Sequence, residues 1–210
     1  MKNKITTLII LIIIYLLLKH YIPYWDKIVY LITLLVTFLH EFGHSFFAII
    51  SWWSVDSIQI NSDWSWYAMT GWWIRSLVLM WWYIWSAIFG NILLYIWFKN
   101  KKLSEKILYF LAWLMIFVAI FWFNSIFSSI ILIVLALWLF TLAKYTNYNN
   151  LVLQFLGISS IIYIIEDFNV WPSSDLEKFS TFLPASIWMI IWLILVIIIT
   201  WYNLKLIFRK

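Results

Sequence analysis

Cysteine is missing from this 210-residue sequence, and charged residues, glycine and proline are all scarce. The lack of cysteine excludes a disulfide framework, a cysteine nucleophile and a cysteine-ligated metal. Only 11% of the residues are charged and 66% are hydrophobic, whereas soluble domains have about 25% charged and 45–50% apolar residues. No soluble fold could bury this much apolar surface, so residues 1–210 are predicted to form one polytopic membrane domain.

The apolar runs set the number of membrane spans. A spanning helix needs about 20 apolar residues, so the chain has room for six or seven transmembrane helices. Residues 1–18 could be a signal peptide or an additional N-terminal anchor, and the missing small-residue cleavage site favours the anchor. The break at Asn124 is short, so the helices beside it could form one tight hairpin. Further helices are predicted over 28–51, 76–98, 107–123, 125–143, 151–165 and 185–204.

Two segments are more polar than the rest. Residues 54–70 alternate polar and apolar positions around Asn61-Ser62-Asp63-Trp64, which predicts a small β-hairpin between the second and third helices. Residues 166–184 hold four of the nine acidic residues. The fold class is therefore an all-α membrane protein with one hairpin, and the second polar segment is predicted to be a functional loop at membrane depth.

The net charge of +5 does not indicate nucleic-acid binding, because the basic residues stand at the ends of apolar runs. In that position they anchor and orient spanning helices. With seven spans, ten Lys and Arg fall on the side of the C-terminus and four on the other. The positive-inside rule then predicts a cytoplasmic C-terminus, and a bacterial cytoplasmic membrane is the default location.

Tryptophan is as abundant as glycine is rare, with 18 Trp against 4 Gly. Membrane helices normally use glycine for close packing, and several tryptophans occupy positions that would suit glycine, such as the doublet Trp52-Trp53. One hypothesis is that the gene contains UGA codons that the source organism reads as glycine. The alternative is a chain with tryptophan-rich belts at the membrane interfaces.

The segment His40-Glu41-Phe42-Gly43-His44 is an H-E-x-x-H motif on a predicted helix. Residues four apart share a helix face, so His40 and His44 can bind one Zn²⁺ while Glu41 takes a proton from the attacking water. Ionisable residues in a spanning helix cost about 2.5–3.5 kcal/mol each, which favours a functional role. The alternative is a His/Glu cluster that only forms hydrogen bonds between helices.

A catalytic zinc site needs a third protein ligand and one open position. Because cysteine is absent and His20 lies at the end of the first segment, a carboxylate is the natural candidate. Asp175, in the polar segment ahead of the last helix, is preferred, and Asp167 and Glu166 are the other candidates. Each of the three could instead be an ordinary solvated loop acid.

The segment HEFGHSFFAIISWWSVDSIQI resembles the short, PDZ-less branch of the site-2 protease family, and SSDLEKFSTFLPASIWMIIW resembles that family's later Ser-Asp segment. The likeness covers residues 28–98 and 170–195. Trp188 and Trp192 match tryptophans of the family. The likeness of the first region becomes closer when glycine replaces tryptophan at 52, 53, 64, 66, 72, 73, 81, 82 and 85.

The resemblance implies an intramembrane zinc metalloprotease whose substrates are membrane-spanning segments that unwind locally. It assigns the third zinc ligand to Asp175, although the sequence departs from the N-P-x-x-x-x-x-D-G form of the aspartate motif in the larger family. The hairpin would pair with the unwound substrate as an added strand. The predicted partners are a membrane-protein substrate and the lipid bilayer. A non-proteolytic membrane scaffold or transporter-like protein is the alternative function.

Overall fold

The computed structural model describes residues 2–24, 30–60, 66–70, 75–99, 101–122, 125–145, 149–166 and 183–209. These residues form seven helices and two strands. In chain order the elements are α1 (Lys2–Tyr21), α2 (Tyr30–Ile50), β1 (Val55–Ile60), β2 (Trp66–Thr70), α3 (Arg75–Lys99), α4 (Lys101–Phe121), α5 (Ile126–Tyr145), α6 (Asn149–Glu166) and α7 (Ala185–Phe208). The predicted fold class, all-α with a hairpin between the second and third helices, is confirmed.

Four of the described helices, α2, α4, α5 and α7, are long and apolar enough to cross a membrane, and α1, α3 and α6 contain shorter apolar stretches. The four long helices differ in how deeply they lie in the bundle. In α2, 61% of the apolar window is buried, compared with 11% in α7. The helix that carries the H-E-x-x-H motif is therefore surrounded by protein, whereas α7 exposes most of its surface to lipid.

The largest core cluster joins α2, the hairpin and the pair of helices α4 and α5. Phe38 of α2 and Leu139 of α5 are completely buried there. In contrast, Ile126 and Trp201 are 72% and 71% exposed. Exposed apolar side chains of this size would be costly in water but suit the hydrocarbon of a bilayer. Apolar residues therefore form both the interior of the bundle and its outer surface.

Two glycines bring α3 and α6 close together. A Cβ atom added at Gly90 would lie 2.9 Å from the backbone oxygen of Gly157, and one added at Gly157 would lie 3.0 Å from the oxygen of Gly90. Any larger residue would push the two backbones apart. In a membrane the hydrophobic effect does not favour contacts between helices over contacts with lipid. Helix association therefore depends on close packing, which small residues allow.

A buried amide pair joins α3 to α7. The Nδ2 group of Asn203 donates to the backbone oxygen and to Oδ1 of Asn91, both at 2.9 Å. The Nδ2 group of Asn91 donates to the backbone oxygen of Ala87 and to Oγ1 of Thr200. A polar side chain without partners would be expensive at this depth, so these bonds fix the register of the two helices.

The hairpin is short and packs into the bundle. Strand β1 pairs with β2 antiparallel, with Ile58 opposite Ala68 and Gln59 opposite Tyr67. Ile58 and Ile60 are each 1% exposed and belong to the main core, whereas Tyr67 and Met69 of β2 are exposed. The alternation of the sequence thus becomes one face toward the core and one face away from it. The predicted turn at 61–64 lies outside the described residues.

The boundaries of the helices differ from the sequence prediction mainly at α4. This helix begins at Lys101 rather than at 107, because Lys102, Glu105 and Lys106 are exposed and need no membrane burial for the helical backbone to continue through them. Helices α4 and α5 are separate and each is long and apolar enough to span a membrane. The predicted orientation of the chain in the membrane stays a prediction.

Candidate active site

Helix α2 brings the three residues of the H-E-x-x-H motif together in the bundle. His40, Glu41 and His44 are 7%, 8% and 8% exposed, and the ring centroids of His40 and His44 are 5.5 Å apart. The two imidazoles occupy successive turns of one helix face, as their spacing predicts. Three ionisable side chains are therefore gathered in the apolar interior, which is the arrangement expected of a functional site in a membrane protein.

Glu41 lies beside the histidines. One of its carboxylate oxygens, Oε1, is 3.5 Å from Nε2 of His40. The backbone oxygen of Glu41 accepts a hydrogen bond of 3.2 Å from Oγ of Ser45, which is completely buried. The carboxylate of Glu41 thus lies beside the ring of His40, while the serine bonds only the backbone of the helix.

Helix α6 supplies the aromatic wall of the site. The ring of Tyr163 meets the ring of His40 edge-on, with centroids 5.5 Å apart and an interplanar angle of 81°. Glu166, the last residue of α6, follows three residues later, which corresponds to a rise of about 4.5 Å along a helix. The chain therefore enters the polar segment after Glu166 within one helical turn of the site.

A neighbouring side of the motif, at Gly43, faces α3. A Cβ atom added at Gly43 would overlap Cδ1 of Trp85, so the indole lies directly on the backbone of α2. The ring of Phe46, one turn beyond Phe42, is 5.0 Å from the ring of Trp85. With tryptophan at residue 85, the fourth position of the motif has room only for glycine.

No third ligand for His40 and His44 is identified in the part of the chain that the structure describes. Within that part of the chain, no three or more His, Cys, Asp or Glu side chains are grouped closely enough to hold a metal. Asp175 and Asp167 lie outside the described residues, and so does the side chain of Glu166. All three assignments stay predictions.

The chemistry of the described donors fits zinc. Two imidazoles and a neighbouring carboxylate are what a catalytic zinc site of this motif uses, with a further carboxylate as the usual third ligand. His40 and His44 would hold the metal, and the burial of both rings excludes most competing solvent. The described residues are thus compatible with two of the three protein ligands that such a site would need.

Comparison with known proteins agrees with this site. A family model described as Peptidase M50B-like matches residues 7–203, nearly the whole chain. The chain belongs to the Peptidase M50B-like family. The predicted membership of the site-2 protease family is thereby confirmed, and at the family level the protein is a membrane-integral, site-2-protease-like metalloprotease of a zinc-dependent family. No curated protein and no solved structure shows significant similarity to the chain.

Sequence reasoning missed two residues near the site, Tyr163 and Ser45. Both lie in apolar helices, and neither belongs to a sequence motif that would indicate a functional role. Nothing in the sequence distinguishes the ring of Tyr163 from the other aromatic side chains, because its contact with His40 joins residues 123 positions apart in the chain. In this M50B-like protein the packing of the helices, and not a sequence pattern, therefore determines which side chains surround the histidines.

Proposed function

We propose that this protein is an intramembrane zinc metalloprotease that hydrolyses peptide bonds of membrane-embedded protein substrates. His40, His44 and Asp175 are the zinc ligands, and Glu41 is the general base. The observation that carries the proposal is the burial of His40, Glu41 and His44 together on α2, in a chain that belongs to a metalloprotease family.

The proposed chemistry divides between the metal and the side chains. Zinc, when bound, polarises the scissile carbonyl and makes water nucleophilic at neutral pH. Glu41 takes the proton from the attacking water and delivers it to the departing amine, for which its position beside His40 is suitable. The edge-on ring of Tyr163 would restrict the rotation of the His40 ring, one of the two rings that would hold the metal.

The substrate must present an extended backbone to such a site, because a helical peptide bond is shielded by its own turn. The hairpin provides strand edges for this purpose, and β2 packs against α2, the helix that carries the site. Pairing with a strand edge would hold the unwound segment through main-chain hydrogen bonds, independently of its sequence. A hairpin beside the site therefore suits substrates that share little sequence.

Only one of the two edges is open among the described residues. The N–H group of Ile60 on β1 donates to Oγ of Ser128 at 3.0 Å, and that hydroxyl donates back to the oxygen of Ile60 at 3.2 Å. The N–H of Ile58 points to the oxygen of Trp122 at 3.4 Å. The outer edge of β1 is therefore covered by the end of α4 and the start of α5.

The open edge belongs to β2. Because the backbone groups of Ile58 point away from β2, those of the opposite residue, Ala68, point away from β1. In the described residues no backbone hydrogen bond covers that outer side of β2. We propose that the unwound substrate adds as a third strand beside β2.

The test uses the purified protein in lipid vesicles with a co-reconstituted membrane-protein substrate. Glu41→Gln should keep zinc at the level of the unaltered protein and lose cleavage, because only the base is removed. His40→Ala and His44→Ala should lose both zinc and cleavage. Glu105→Gln, which neutralises an exposed acid on α4, is the matched control and should change neither.

Two other results would contradict the proposal. Retained cleavage in Glu41→Gln would remove the general base from the mechanism. Zinc binding by the unaltered protein with no cleavage of any membrane substrate, and no difference on Glu41→Gln, would favour the metal-binding scaffold or transporter-like alternative.

A further inference from the structure

The C-terminus of α2 ends in a geometry that normally requires glycine. The N–H of Trp52 donates to the oxygen of Ile49 at 3.0 Å, and the N–H of Trp53 donates to the oxygen of Ala48 at 2.9 Å. These two bonds form a Schellman cap, in which the residue after the helix has a left-handed backbone. That residue is Trp52, whose φ is 63°.

A tryptophan side chain makes no packing contribution to folding at this position. Its Cβ atom disfavours the left-handed conformation, which glycine adopts freely, and its side chain is 97% exposed, so burial does not compensate. The other described non-glycine residue with positive φ is Tyr24, which shows that the angle alone is not diagnostic. At residue 52 the two hydrogen bonds of the cap require the left-handed backbone angle.

The described glycines of this sequence do not occupy left-handed positions such as that of residue 52. Gly43, Gly90 and Gly157 all lie inside helices, and no described glycine has a positive φ. The cap that needs glycine for its backbone angle therefore carries tryptophan, in a chain with 18 Trp and 4 Gly.

Residue 85 gives a second, independent indication that a tryptophan of this sequence stands where glycine would fit better. The indole of Trp85 lies so close to α2 that Gly43 has no room for a Cβ atom. Glycine at residue 85 would let α3 pack on Gly43, as α3 already packs on α6 through Gly90 and Gly157.

Other tryptophans fit their surroundings. Trp192 is 2% exposed in the core beside α3 and α6, and its ring stacks on that of Trp188 at 6.1 Å with an interplanar angle of 17°. Removing either ring would leave a cavity. Trp192 is thus enclosed by the core, whereas Trp52 is exposed in a left-handed cap and Trp85, although it packs on Phe46, occupies the space over Gly43.

We propose that the native protein carries glycine at residues 52 and 85, because the source organism reads UGA codons as glycine, and carries tryptophan at residues 188 and 192. The consequence for the site lies beside Gly43. Without the indole of residue 85, the interface of α2 and α3 opens next to His44, where the proposed protease function needs space for an unwound substrate. This functional consequence rests on that proposed function, whereas the residue assignment does not.

The deciding experiment is mass spectrometry of the protein isolated from its source cells, with the codons of the gene read in parallel. Cleavage after Lys and Arg separates residue 52 in peptide 28–75, residue 85 in peptide 76–99, and residues 188 and 192 in peptide 179–205. We expect glycine from UGA at 52 and 85 and tryptophan from UGG at 188 and 192. Tryptophan at either of the first two positions, or glycine at either of the last two, would overturn the assignment.

Recombinant variants provide a second measurement. Trp52→Gly should raise the melting temperature in detergent, since it removes an exposed side chain from a left-handed cap, whereas Trp192→Gly should lower it. Equal effects of the two would contradict the packing argument. In vesicles, Trp85→Gly should increase substrate cleavage. If the peptides contain glycine and yet no variant cleaves, the proposed protease function fails and the assignment of residues 52 and 85 stands.

Discussion

Tyr163 on α6 stands edge-on against His40 on α2, with ring centroids 5.5 Å apart and ring planes at 81°. This contact fixes the end of α6 beside the H-E-x-x-H helix. It also places the last turn of α6, which ends at Glu166, near the histidine pair. The contact thus joins helix α6 to the helix of the predicted zinc site.

Loss of the Tyr163 ring should loosen His40. An edge-to-face aromatic pair contributes about 0.5–1.5 kcal/mol, so Tyr163→Leu should weaken zinc binding by roughly 2- to 10-fold. Tyr163→Phe keeps the ring and should retain most of the affinity. Zinc titration of the purified protein measures both, and Tyr109→Leu, which removes a ring packed between α4 and α5, should leave zinc affinity unchanged.

The third zinc ligand can be identified by comparing three acids. We expect Asp175→Asn to lose stoichiometric zinc and cleavage, while Asp167→Asn and Glu166→Gln keep both. The effect of losing a ligand should exceed the roughly 10- to 100-fold cost of losing a residue that only orients a ligand. Metal content after gel filtration is the measurement. A variant of Asp167 or Glu166 that alone loses zinc would transfer the assignment to that residue.

The proposed substrate strand should lie beside β2 rather than β1. Since the chain has no cysteine, single cysteines can be introduced without background. Met69→Cys on β2 should form a disulfide with a cysteine in the substrate segment when Glu41→Gln is present to prevent cleavage. Asp56→Cys is equally exposed but lies on β1, and it should not react. Cross-linking through residue 56 alone would assign the substrate to the other strand.

The Gly90–Gly157 contact should be sensitive to one added methyl group. In Gly90→Ala the new Cβ meets the backbone oxygen of Gly157 at 2.9 Å, and backbone cannot move aside cheaply. Overpacking of this kind costs about 1–3 kcal/mol, so the melting temperature in detergent should fall. Thr141→Ala, on an exposed face of α5, is the control. An unchanged melting temperature for Gly90→Ala would mean that α3 and α6 are not closely packed.

Water should reach the side of the site formed by α6. Ser159 and Ser160 are 5% and 3% exposed, and their hydroxyl oxygens have no hydrogen-bond partner in the described part of the chain. Buried hydroxyls of this kind are usually satisfied by water. Ser159 lies one turn before Tyr163, on the face of α6 that meets α2, so Ser159→Cys should react with a water-soluble thiol reagent in membranes.

The control for that labelling is Ala112→Cys, because Ala112 is completely buried among apolar residues of the main core. It should stay unreactive until the protein is denatured. If the cysteine at 159 is as unreactive as the one at 112, no water lines this part of α6.

Much of the architecture was predictable because its causes are local. Runs of apolar residues longer than a bilayer is thick require helices, and the alternation in 54–70 requires strands, whatever surrounds them. The start of α4 was predicted six residues late because the charged residues at its beginning interrupt the apolar run without interrupting the helix. The H-E-x-x-H residues share a face of α2 for the same local reason, since their spacing matches one helical turn.

The sequence by itself determined the residue types of the site, the membrane environment and the helix on which the two histidines lie, because these depend on composition and on contacts within one turn. Only the tertiary structure decided that Tyr163 meets His40, that Ser128 covers the edge of β1, and that Gly43 faces residue 85. Each of these contacts joins distant parts of the chain, and which helix faces another depends on how whole surfaces fit together. No short segment contains that information.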